Sequence, residues 1–190
     1  MAVIQGGHVA EGAVGLFSYN AGSPALGTTT AVRAAVTDNG AQQVITSSIT
    51  NPAVPRNVTA TAGGTAGDIK AIQVIVAGTN MHDEAITETL PAFTVDTAGT
   101  VTGSKAFKTV TSITIPAHDG TGATTSVGTG AKLGLPLKLS RNSVLAAYLN
   151  GAKEGTAPTV TVSATAVESN TVSLNSALDG SAVIIDGYTS

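Results

Sequence analysis

The chain is punctuated too often to hold long helices. Gly, Pro, Asn and Asp recur every few residues, and between them stand short runs of Val, Ile and Thr, whose branched β-carbons suit a pleated strand. Val58 to Ala62 alternates apolar with polar, while Ile69 to Ala77 (IKAIQVIVA) is largely apolar, as a central strand buried on both faces would be. Ala85 to Leu90 alternates and stops at Pro91, and Phe93 to Val95, Thr100 to Thr102 and Lys105 to Ile115 (KAFKTVTSITI) follow. Phe107 and Val110 differ in parity, which predicts a bulge or a helical turn between them. Gly120 to Gly130 is a glycine-threonine stretch, expected as a hairpin in which Thr124 to Val127 is a short strand. Lys132 to Leu139 contains Pro136, which confines it to an edge or a loop. Thr159 to Val167 (TVTVSATAV) alternates cleanly, and Thr171 to Leu174 and Ala182 to Ile185 complete the set.

Ser143 to Lys153 is the one segment with helical spacing, through Val144, Ala147, Tyr148 and Gly151. Asn150-Gly151 within it is also the sequence of a type I′ hairpin turn, and we read a strand over Val144 to Leu149 with a short partner. Strands at this regular spacing, with almost no amphipathic helix, predict an all-β fold: a sandwich or a barrel-like domain.

Residues 1–50 read as an extended N-terminal arm. Gly6, Gly7, Gly12, Gly15, Gly22, Pro24, Gly27 and Gly40 interrupt every potential element, leaving short strands at Thr28 to Val36 and Gln43 to Ile49. Asn51-Pro52 and Val54-Pro55 mark a hinge, because a residue before proline avoids the α region. The β-rich domain is then expected over 51–190.

What covers the outside narrows the class of function. Only 11% of residues are charged and 3% aromatic, so Thr and Ser must supply most of the surface. Such side chains lose little rotamer entropy on burial and let backbones approach, which suits extended contacts with a partner. The net charge is −3, and the nine cations are scattered, without the clusters or stacking aromatics that nucleic acid requires. No partner nucleic acid and no membrane are expected: no stretch reaches the roughly 18 apolar residues of a span, and the first residues lack the basic and apolar regions of a signal. With no cysteine, disulfides and thiolate chemistry are absent.

Candidate chemistry is sparse. His82-Asp83-Glu84 offers metal-ligand types, but consecutive strand residues point to alternate sides, so a polar turn is the expectation. His118-Asp119 precedes Gly120-Thr121-Gly122 and reads as a solvent-facing turn, since neighbours in sequence rarely orient one another as a catalytic pair does. His8 is the third histidine. Glu84 and Glu88 flank a strand as solvated carboxylates, and the GGTAG run at 63–67 lacks the Lys-Ser/Thr of a phosphate loop and is a turn. Asn57-Val58-Thr59 matches a glycosylation acceptor with no secretory signal to support it. No catalytic, cofactor-binding or metal-ligating residue is assigned, and the expectation is a protein that is not an enzyme.

Three stretches carry a family likeness: RNVTATAGGTAGDIKAIQVIVAGTN, then EAITETLPAFTVDTAGTVTGSKAFKTVTSITIPAHDGTGATTSVGTGAKLGLP, then RNSVLAAYLNG with EGTAPTVTVSATAVE. In texture and phrase order the region from Arg56 to about Glu168 resembles small structural proteins encoded among the head and tail genes of tailed bacteriophages. The resemblance implies a virion component present in many copies, and size and arm suit a capsid decoration or cement protein on the phage head. Its implied partners are the major capsid protein lattice and itself, as a homo-oligomer, a trimer being one form. In that reading the arm clamps the lattice by strand addition. A tail-tube or fibre component and a carbohydrate-binding adhesive module are the alternatives.

Overall fold

The computed structural model describes residues 15–189. The fold is all-β, 47% strand and 3% helical, with several antiparallel sheets, one of them curled into a half-barrel. Among the described residues the strands run β1 (Gly15–Asn20), β2 (Arg33–Thr37), β3 (Gln43–Ile45), β4 (Arg56–Gly64), β5 (Ile75–Thr79), β6 (Ala85–Thr89), β7 (Gly99–Phe107), β8 (Thr109–Ile115), β9 (Ala123–Gly134), β10 (Val144–Leu149), β11 (Ala152–Lys153), β12 (Thr159–Thr161), β13 (Thr171–Ser173) and β14 (Val183–Thr189). Single 3-10 turns occur at Ala66–Asp68 and Val167–Ser169.

The strands make three sheets. One has the order β1-β14-β10-β11; the largest has β12-β13-β9-β4-β7 with β2 also on β9; the third has β3-β8-β5-β6. A first core fills the space between the largest and third sheets, with Val58, Ala60, Val127 and Phe107 facing Ile72, Val76, Ile86 and Ile113. A second core lies under the first-named sheet, where Ala147, Val183 and Ile185 meet Leu133, Leu135 and Val172. β9 serves both, through Val127 in one and Leu133 in the other.

Between those two contributions β9 bulges. Val58 opposes Thr129 but Arg56 opposes Leu133, so extra residues of β9 face Asn57. The Asn57 side chain fills the gap: its Oδ1 accepts the Lys132 amide at 2.9 Å, and its Nδ2 donates to the Gly103 carbonyl of β7 at 2.9 Å. A β-carbon on Gly130 would sit 2.5 Å from that amide group, which is why a glycine stands mid-strand. Arg56, buried beside it, donates from Nε to the Gly130 carbonyl at 2.7 Å, from Nη2 to the same oxygen, and from Nη1 to the Ala25 carbonyl at 2.9 Å.

Several expectations need correction. Residues 15–50 are extended but do not form an arm: β1 pairs with β14, β2 with β9 and β3 with β8, so no structural divide falls at 50/51. Their glycines and prolines shorten the strands without preventing pairing; residues 1–14 of the expected arm, His8 included, lie outside the described residues. Gly120 to Gly130, read as a hairpin, instead lies mostly within β9, which crosses the middle of the largest sheet. Its glycines are there for close packing: a side chain at Gly128 would strike the backbone of Thr28 and Thr29. Ile69 to Ala77 is a strand only from Ile75, and one face is buried, not two, since Lys70, Ala71 and Gln73 are exposed between buried Ile69, Ile72 and Val74. Phe93 to Val95 is irregular, and Thr159 to Val167 is a strand only to Thr161. The parity break in Lys105 to Ile115 falls at Lys108, which separates β7 from β8 and sends its amide to the Thr79 carbonyl. The hairpin at Asn150-Gly151 forms, with positive φ at both (52° and 74°), as type I′ requires.

Candidate assembly surface

The groups with chemical potential are built into the framework. His118 is buried, not solvent-facing: it stacks on Phe93 with ring centroids 6.0 Å apart, and its amide donates to Asp38 Oδ1 at 3.0 Å. Its Nδ1 accepts the Lys70 amide at 3.2 Å, so Nε2 carries the proton and donates to Thr125 Oγ1 at 2.9 Å. Burial pushes this imidazole below its usual pKa, opposed by the Asp38 and Asp119 carboxylates. Turn residues are normally solvated, and nothing in HDGTG signals that Phe93, distant in sequence, covers the ring.

Glu84 and Glu88 part company. Glu88 is buried, not solvated, and its carboxylate accepts the Ser104 amide at 2.6 Å, the Ser104 hydroxyl at 2.8 Å and the Lys105 amide at 3.2 Å. Those amides are free because residues 103–105 bulge out of the β4–β7 ladder, where Asn57 opposes Ala106 and Thr59 opposes Thr102. Glu84 instead accepts from Asn80 Nδ2 at 2.8 Å. His82, Asp83 and Glu84 do form a polar turn, in which Asn80 Oδ1 accepts the amides of His82 and Glu84 while Asp83 pairs with Lys108 Nζ at 2.7 Å. No group of three or more metal-ligating side chains converges among the described residues.

The features left for function lie on the β1-β14-β10-β11 sheet. Directly opposed residues share a face, so its outer side carries Leu16 beside Tyr188, Ser18 beside Asp186 and Ala146, and Asn20 beside Ile184, Tyr148 and Lys153. Leu145 stands exposed where the β10 register slips between Val144 and Ala146. Leu16 is 81% exposed and Leu145 61%. On the inner side Phe17 and Tyr19 rest on the second core, and the Phe17 ring lies over Gly187, where a β-carbon would meet it at 2.5 Å.

Cations rim this face. Lys138, Arg141 and Lys153 are exposed and have no carboxylate partner among the described residues, whereas Lys70, Lys105 and Lys108 are each paired with one. The Arg141 guanidinium lies 5.6 Å from the Tyr188 ring centroid, holding the aromatic at the rim. A recess of about 50 Å³ beside Lys138, Arg141, Ser143 and Tyr188 has room for water, far below the roughly 300 Å³ at which small-molecule sites begin. With exposed Leu16 and half-buried Tyr188, Ile184 and Tyr148 set among Ser18, Asn20 and Asp186, this side has the mixed apolar and polar composition of a macromolecular contact.

The chain matches no protein-family model, no curated protein and no solved structure. Sequence reasoning located β10 with its short partner and the start of β14, but it missed β1, which fell inside the expected arm. Pairing over so long a separation leaves no local signal, and Gly15 to Asn20 shows only brief alternation.

Proposed function

We propose that this protein is a structural component of a tailed-phage particle, a decoration or cement protein that binds the capsid lattice through the outer face of its β1-β14-β10-β11 sheet. The observation that carries the reading is that face: Leu16, Tyr188, Ile184 and Tyr148 on one sheet side, with exposed Leu145 in the β10 bulge, bordered by exposed cations that have no carboxylate partner among the described residues. The phrase-level resemblance of residues 56–168 to phage head and tail proteins supplies the kind of partner. Burying an apolar side chain such as Leu145 contributes about 1.5 to 3 kcal/mol, and repetition over a symmetric shell multiplies weak contacts into stable occupancy. No reaction is part of this role. Residues 15–50 are committed to the molecule's own sheets, so this reading rests on a folded face.

The test is occupancy. Particles of the encoding phage, assembled without this chain, are incubated with purified protein and the copies retained after sedimentation are counted. Leu145→Glu, at an exposed position that the fold does not depend on, should lower affinity about tenfold or more. Failure of the wild-type protein to bind such shells refutes the head reading, and binding to isolated tails instead moves the protein to the tail.

A further inference from the structure

Among the described residues, the edges of the three sheets are guarded in the ways that keep strands from pairing with other chains, with one exception. β3 and β12 are only three residues long, and β11 has two, one of them Lys153. On β6 the Lys105 ammonium caps the Thr87 carbonyl at 2.9 Å. β7 is broken by its bulge, and the Ser104 and Lys105 amides are taken by Glu88. β2 carries Arg33 and a register slip, and its Thr37 carbonyl accepts the Gln43 side-chain amide.

β1 has none of these devices. It runs six residues, GLFSYN, in unbroken register with β14, and contains no charge, no proline and no bulge. Ala21 donates its amide to Val183 across the same ladder, and Tyr188 of β14 turns its amide the other way, to Ser143. Strand alternation therefore aims the backbone groups of Gly15, Phe17 and Tyr19 at β14 and those of Leu16, Ser18 and Asn20 at the open edge.

We infer that two copies of this chain pair β1 against β1 about a two-fold axis, joining their four-stranded sheets into one. The register follows from which groups are free. Setting Ser18 opposite Ser18 of the second copy places Leu16 opposite Asn20 and Asn20 opposite Leu16, so every edge-facing amide and carbonyl of the strand meets its complement. The same register sets Phe17 against Tyr19 on the inner side, a cross-strand aromatic pair. The contact is self-complementary, as a two-fold requires, and no like charges meet along the strand. It is independent of the particle the protein serves.

The test needs only the full-length protein. Sedimentation from micromolar to submillimolar concentration should show a dimer. Ser18→Lys puts like charges at the two-fold on an exposed position whose backbone groups do not serve β14; it should weaken the dimer about tenfold or more while leaving the melting temperature of the subunit unchanged. Because the chain has no cysteine, Ser18→Cys gives a direct reading of register. Opposed residues of a hydrogen-bonded pair have Cα atoms about 5.5 Å apart, within disulfide range, so this variant should cross-link under mild oxidation and Leu16→Cys should not. A monomeric wild type, a trimer, a dimer undiminished in Ser18→Lys, or equal cross-linking by Leu16→Cys would each overturn the inference.

Discussion

At the scale of single residues, polar side chains stand in for missing backbone partners. Asn170 is fully buried, and its Oδ1 accepts the amides of Leu139 and Ser163 while its Nδ2 donates to the carbonyls of Ser163 and Ala166. Asn170→Ala would strand those groups in a dry interior, and we expect a loss of about 2 to 3 kcal/mol in urea unfolding. His118 carries a different liability. Its native contacts require the neutral ring, and burial lowers its pKa, so the stability it lends is complete above about pH 6.5 and is lost as pH falls through the lower folded value. Melting temperatures of wild type and His118→Gln, compared at pH 8 and pH 5, should show the larger acid loss in the wild type. Equal losses would assign the acid sensitivity to the carboxylates.

Elements here are shaped by what interrupts them. The β7 bulge exists because Glu88 of a neighbouring sheet receives the amides that the ladder gives up. Glu88→Ala should therefore destabilise the protein by about 2 kcal/mol, in keeping with charge-assisted bonds, and hydrogen exchange should quicken first at Ser104 and Lys105. Much at this scale was legible beforehand. Alternation located β4, β6 and β8, and Asn150-Gly151 located the β10–β11 turn, because period-two burial and turn chemistry are local signals. What escaped was set by distant neighbours. Threonine and glycine in 120–130 resemble a turn by propensity, yet Thr28 and Asn57 approaching Gly128 and Gly130 make that segment the spine of the largest sheet. The candidate face escaped for the same reason, being assembled from strands more than a hundred residues apart.

The whole molecule has two cores but one spine. Val127 and Leu133, both fully buried on β9, belong to different cores, and β4 with its Arg56 and Asn57 braces spans the bulge between them. Truncation to alanine at either position should lower a single shared unfolding transition, by about 2 to 5 kcal/mol for Leu133→Ala, and calorimetry resolving two separate transitions would contradict this coupling. The pairing of β1 with β14, from Asn20↔Ile184 to Gly15↔Thr189, also sets the order in which the molecule can be completed. Closing so long a loop is slow, and during synthesis the segment made early must wait for its neighbour to leave the ribosome. A nascent or truncated polypeptide lacking the final strand would expose Gly15–Asn20 on both sides, so quality control during translation should bear most heavily on chains stopped just short of residue 183.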